Sequence, residues 1–238
     1  MKHVVIFCSS LLILLTAAQC RKHNTSVMNT NDYTYHDDSS KSFLALGDSY
    51  TIGQSVSDPE RFPAQTVSFL RSYGIIIKDP QYIATTGWTT GNLATAIQSQ
   101  NPVGPYSVVT LLIGVNDEYQ THDTTGYRQR FRSLLLKSVE LAGNSRNHVF
   151  VLSIPDYSVT PFAMGHDTAT IRKEIDWFND INRQVTAQEQ CHYLDITPST
   201  RLALNDPSLI AFDGLHPSGK EYGIWASMLA PMMNPVLK

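Results

Sequence analysis

Phe43-Leu44-Ala45-Leu46-Gly47-Asp48-Ser49-Tyr50 decides how the rest of the chain is read. Four apolar residues in an unbroken run, stopped by a glycine, describe a strand buried on both faces. A strand with one wet face would alternate apolar with polar residues. Two further runs have the same form: Val108-Val109-Thr110-Leu111-Leu112-Ile113 stops at Gly114, and Val149-Phe150-Val151-Leu152-Ser153-Ile154 stops at Pro155. Weaker strand candidates are Ile75-Ile76-Ile77 with Tyr82-Ile83-Ala84, and His192-Tyr193-Leu194-Asp195-Ile196. Helical periodicity fills the intervals. Tyr127, Phe131, Leu134, Leu135, Val139 and Ala142 form one stripe, ended by Gly143-Asn144. Ile171, Ile175, Phe178, Ile181 and Val185 form another, behind an Asp167-Thr168 start. Further helices are expected over 63–73, 92–98 and 219–229. Strands alternating with helices in this way predict one α/β domain, a three-layer α/β/α sandwich around a mainly parallel central sheet.

Outward from that domain the composition sets bounds. The chain has 238 residues, 42% hydrophobic and 16% charged, with a formal net charge of −3. That is enough apolar material for a substantial core. No basic block or stripe offers a nucleic-acid footprint, three cysteines cannot build a disulfide framework, and one long apolar run excludes a multi-pass membrane protein. The run lies at the start: Lys2 precedes an apolar stretch from Val4 to Ala18, and Cys20 follows. Residues 1–19 read as a signal peptide that resembles a bacterial lipoprotein signal, in which Cys20 becomes the lipidated first residue. Gln19 departs from the small residue usual there, and ordinary secretion with cleavage after Ala18 is the alternative. Either reading places the protein outside the cytoplasm, in the cell envelope as an anchored lipoprotein, or periplasmic or secreted. Residues 20–41 are polar and read as a flexible tether, leaving 42–238 as the folded domain. Asn24-Thr25-Ser26 spells a glycosylation sequon but carries little weight behind such a signal. Cys8 leaves with the signal. Cys191 then reads as a core thiol if Cys20 is lipidated, and a Cys20–Cys191 disulfide opens if it is not.

In a sheet of this kind ligands bind beyond the C-terminal strand ends. The segments there are Gly47-Asp48-Ser49-Tyr50, Thr86-Gly87-Trp88, Gly114-Val115-Asn116-Asp117 and Asp213-Gly214-Leu215-His216-Pro217. Together they hold a complete set of groups for acyl chemistry. The Ser49 hydroxyl is a weak nucleophile unless a base takes its proton, and His216 is a base of suitable pKa. Asp213, three residues earlier, can accept the other imidazole N–H and stabilise the imidazolium. The oxyanion would take the backbone N–H groups of Ser49 and Gly87 and the Asn116 amide, each donor worth on the order of 3 kcal/mol. Asp48 and Asp117 read as organisers of their loops. Trp88, Tyr50, Tyr119 and Tyr157 lie near these loops, as pocket walls or as core.

With these blocks in this order, the chain resembles the SGNH hydrolases, the GDSL esterases and lipases. The family is named for Ser, Gly, Asn and His in four blocks, here Ser49, Gly87, Asn116 and His216. Gly-Asp-Ser-Tyr stands where the family often has leucine after the serine. Gly114 to Asp117 and Asp213 to Pro217 match well, and in the second block only Gly87 carries over. The resemblance spans Leu46 to Pro217. It implies the SGNH-hydrolase fold and an esterase with catalytic Ser49, His216 and Asp213 and an oxyanion hole of Ser49, Gly87 and Asn116. No cofactor or metal is implied. The substrate would be a small-molecule or glycan-linked ester with a short acyl or acetyl group. A lysophospholipase or thioesterase activity is the alternative within the family, and a non-catalytic surface glycan-binding lipoprotein the alternative outside it. Competing motifs fail: Thr51 stands where a Gly-x-Ser-x-Gly elbow needs its second glycine, and Gly214 to Lys220 precedes Glu221 where a P-loop needs Ser or Thr.

Overall fold

The computed structural model describes residues 40–238, with Met1. The expected signal segment, Cys20, the sequon and nearly all of the tether lie outside the described residues. Among the described residues, no helix is long and apolar enough to cross a membrane.

Five strands form one sheet: β1 (Phe43–Gly47), β2 (Gln81–Ala84), β3 (Val108–Leu112), β4 (Val149–Leu152) and β5 (His192–Leu194). All neighbours are parallel, in the order β2-β1-β3-β4-β5. Every residue of β1, β3 and β4 is buried, which is why their sequences are continuous apolar runs. The edge strands are partly exposed. In β2 the exposed Gln81 and half-buried Tyr82 precede the buried Ile83 and Ala84. Ile77, expected as part of a strand, makes only a single bridge, to Lys41, so pairing begins just ahead of β1.

The helices are α1 (Ser49–Ile52), α2 (Phe62–Ser72), α3 (Thr90–Gln100), α4 (Val115–Thr121), α5 (Tyr127–Leu141), α6 (Thr168–Gln188), α7 (Thr197–Thr200) and α8 (Gly219–Leu237). Parallel crossovers are right-handed. The step from β1 to β2 runs one way along the sheet and every later step runs the other, so α2 covers one face and α3, α5 and α6 the opposite one. The packing agrees: α2 lies against α8, α3 against α5, and α5 against α6. Phe62 of α2 stacks near Trp225 of α8 at 6.0 Å, and Tyr127 of α5 meets Phe178 of α6 at 4.5 Å. These rings are among the largest fully buried side chains.

Two helices differ from expectation. The helix expected over 92–98 begins earlier because Thr89 caps it, its side chain taking Asn92 N–H while Asn92 returns a bond to the Thr89 backbone. The helix expected over 219–229 continues to Leu237, through Pro231 and Pro235. Each proline removes a ladder bond. Burial of Leu229, Ala230, Met233 and Leu237 holds the segment helical regardless.

Candidate active site

The strand order reverses between β1 and β3, and the loops leaving those two strands diverge to open a crevice. In register, Gly47 sits beside Ala84 on one side and Leu112 on the other, so three strands end level. The three segments that follow them therefore meet above the sheet.

The first turns at once into α1. A Cβ at Gly47 would collide with Thr51 Oγ1 and the Leu112 carbonyl, so only glycine permits this close passage from strand to helix. Asp48 caps the helix by accepting Tyr50 N–H at 3.0 Å, which places Ser49 at the first helical position. Burial pushes the Asp48 carboxyl up to about 8, against the pull of the Tyr50 bond and with the nearby Asp117 charge adding to the rise.

The second segment is a turn closed by Trp88 N–H on Thr85 O. Gly87 has φ +82°, and no atom lies within 4 Å of where a Cβ would stand, so its backbone faces open space. The third is α4, and its side chains hold the second in place. Asn116 Nδ2 donates to Trp88 O at 3.1 Å, and Gln120, one helical turn on, donates to Gly87 O at 3.3 Å. Asp117 accepts Thr90 N–H at 2.8 Å and the Thr90 hydroxyl at 2.6 Å, tying α4 to the start of α3. Arg130 closes on the same carboxylate at 3.4 Å.

The fourth segment folds back on itself, with Ala211 N–H on His216 O at 2.7 Å. Asp213 Oδ1 accepts the backbone N–H groups of Leu215 and His216, both at 3.0 Å. Its Oδ2 accepts His216 Nδ1–H at 2.7 Å and the Ser55 hydroxyl at 2.6 Å. Burial opposes the charge, but the bonds from Ser55, Leu215 and His216 outweigh it and hold Asp213 down at about 2. A carboxylate can only accept, so Nδ1 carries the proton of this pair and Nε2 is left as the basic nitrogen. Tyr50 packs on the imidazole at 5.1 Å between ring centroids.

Ser49, Gly87, Asn116 and His216 line one cavity of about 130 Å³. Its remaining wall is mostly apolar, from Tyr50, Tyr119, Tyr157, Phe162 and Leu215. The residues expected from sequence are thus brought together, with Asp213 hydrogen-bonded to His216. Of the four aromatic residues in question, Tyr50, Tyr119 and Tyr157 line the cavity, whereas Trp88 is a half-buried residue packed on the core. Asp48 and Asp117 organise their loops through backbone bonds. Burial pushes the Cys191 thiol up to about 11, so it stays protonated and unreactive at neutral pH.

Sequence reading missed Ser55, Gln120, Phe162 and Leu215. Gln120 carried a signal, standing four residues after Asn116 on a helix. Ser55 carried none, because its φ of +68° and its reach across 158 residues to Asp213 belong to the tertiary fold.

Among solved structures the chain is similar to Axe2, an acetylxylan esterase from Geobacillus stearothermophilus. The two are 19% identical with a TM-score of 0.62, over 81% of this chain and 94% of that one. It is also similar to TesA, at 16% identity and a TM-score of 0.62 over 82% and 99% of the two chains. LAE5, an α/β hydrolase from the metagenome of Lake Arreo, Spain, stands at 18% and 0.61 over 83% and 96%. At these identities the likeness establishes a shared fold. No curated protein sequence matches the chain. The model of the GDSL-like lipase/acylhydrolase family matches residues 45–224, a span that takes in all four loops of the cavity. The chain therefore belongs to the GDSL-like lipase/acylhydrolase family, serine hydrolases that act on ester bonds.

Proposed function

We propose that this protein is an exported esterase that removes short acyl groups, acetyl foremost, from carbohydrate-linked esters by a Ser49–His216–Asp213 acyl-enzyme mechanism. The observation that carries the reading is the 2.7 Å bond from His216 Nδ1 to Asp213 in a loop whose histidine shares a small cavity with Ser49, Gly87 and Asn116. In the first step Ser49 Oγ attacks the ester carbonyl carbon while His216 Nε2 takes its proton. Asp213 stabilises the imidazolium. The oxyanion is held by the Ser49 and Gly87 N–H groups and by the second hydrogen of Asn116 Nδ2, the first being engaged by Trp88 O. His216 then gives its proton to the leaving alcohol, and water repeats the sequence against the acyl-enzyme.

The size and aromatic wall of the cavity support a short acyl group, and the likeness to Axe2, an acetylxylan esterase, supports a carbohydrate carrier. Export rests on the apolar run from Val4 to Ala18 and on Cys20. One observation favours a second reading, in which longer acyl chains are taken from lipid or thioester substrates. Phe212 and Met164, 90% and 78% exposed, border an apolar groove of about 540 Å³ that includes Gly214, two residues from His216.

A p-nitrophenyl ester series from acetate to palmitate, with Ser49→Ala as the blank, tests both. Turnover that is lost in Ser49→Ala and confined to acetate and butyrate is the expected result. Preference for long chains would replace it with the second reading. Full activity in a folded Ser49→Ala protein would overturn the mechanism. A folded wild type that neither turns over any ester nor takes a fluorophosphonate label at Ser49 would leave a glycan-binding protein.

A further inference from the structure

Tyr119, Tyr157 and Phe162, which wall the ester cavity, also line a second cavity of about 380 Å³. Glu118 and His122 stand one turn apart in and just after α4, and Glu174 comes from α6, which packs against it. His122 Nδ1 is 2.8 Å from Glu174 Oε2 and 3.9 Å from Glu118 Oε1. One donor atom from each residue lies within 4.8 Å of the other two. His122 and Glu174 line the second cavity, and the His122 side chain is 58% exposed, so the cluster has an entrance.

Glu118 has no exposed surface. Its Oε1 accepts the Tyr157 hydroxyl at 3.3 Å, and its Oε2 is buried with no hydrogen-bond partner among the described residues. A buried carboxylate oxygen without a partner is costly, and here it stands beside a second carboxylate.

We propose that Glu118, His122 and Glu174 form a binding site for a divalent transition-metal cation of the zinc class. One imidazole nitrogen with two carboxylates is a donor set suited to Zn²⁺ or Mn²⁺, with water completing the coordination. Donors around such an ion lie about 2.0–2.2 Å from it. Donors sharing one such ion stand about 3–4 Å from each other, as His122 Nδ1 stands from the two carboxylates at 2.8 and 3.9 Å. Ca²⁺ needs six to eight oxygen ligands and is a poor match for three residues.

The test is calorimetric titration of the chelator-stripped full chain with ZnCl2 and, separately, MnCl2, with MgCl2 and CaCl2 for comparison. The expected result is one saturable Zn²⁺ per chain and a Tm that rises on addition. Binding is expected to weaken at least tenfold in both His122→Ala and Glu174→Gln, with circular dichroism unchanged. Neither Mg²⁺ nor Ca²⁺ is expected to compete. Failure of the folded wild type to take up Zn²⁺ or Mn²⁺ saturably would overturn the site. So would uptake that neither substitution weakens, since that places the ion elsewhere.

Discussion

Asp213 holds the His216 imidazole through a single oxygen, and that oxygen is shared with the Ser55 hydroxyl at 2.6 Å. Ser55 does not line the cavity; it acts by fixing the carboxylate. Its removal is expected to lower kcat about fivefold, the worth of one hydrogen bond near 1 kcal/mol, while KM for p-nitrophenyl acetate holds. Ser55→Gly separates the bond from the backbone. The left-handed φ of +68° is relieved by glycine, so Ser55→Gly should lose as much activity as Ser55→Ala yet resist urea better. Equal stability of the two variants would reject the backbone strain, and a loss that appears in KM would reject the positioning role. Acid behaviour follows from the same bond. Asp213 titrates near 2 in the folded protein against an ordinary 3.8, so its stabilisation is complete above pH 4 and is lost as pH falls toward 2. That window narrows in Ser55→Ala, because the folded carboxyl has lost one of its donors.

Among the elements, α4 joins two of the site loops. Asp117 is its rivet: Asp117→Ala strands the Thr90 N–H and hydroxyl in a buried place and frees the Gly87 turn to drift from Asn116. Urea unfolding is expected to show a loss of about 2–4 kcal/mol, with ester turnover falling further than in a core variant of equal stability. A loss under 0.5 kcal/mol would mean the tie is idle. The elements also differ in how openly the sequence declared them. Central β1, β3 and β4 are buried on both faces and so write continuous apolar runs. β2 and β5 lie at edges, where half-exposed positions dilute the pattern, and only part of each expected segment pairs. The 21-residue α6 was plain from its apolar stripe and from the Asp167 cap. α1, α4 and α7 are too short to develop a period, and the last eight residues of α8 contradict a proline rule that burial overrides. The site was legible further than its supports. Ser49, Gly87, Asn116, Asp213 and His216 follow strand ends or a local turn, whereas Ser55 and Phe162 reach the site only through contacts made across the folded chain.

For the whole molecule, the reversal of strand order sets both where chemistry happens and what it costs. The switch point demands a buried, tightly turned chain at Gly47-Asp48, and a carboxyl enclosed there is held protonated up to about pH 8. The unfolded chain releases that proton near its ordinary 3.8. Between those values the folded state binds more protons than the unfolded one, so stability falls as pH rises and levels off beyond 8. Asp48→Asn keeps an acceptor for the Tyr50 N–H and cannot ionise. Its stability curve should therefore be flatter than wild type from pH 4 to 8 by up to one proton, about 1.4 kcal/mol per pH unit, measured by urea unfolding across that range. Parallel curves would show that Asp48 does not titrate in the window. A different kind of consequence comes from the aromatic ring of Phe162, which lines both cavities and belongs to a surface turn rather than to the sheet. Ser49 and Asn116 follow strands that the core locks, but this partition does not. Natural variation at that one ring can enlarge or close the acyl compartment while the proton relay stays as it is, so the range of esters accepted by such a scaffold is free to diverge much faster than its chemistry.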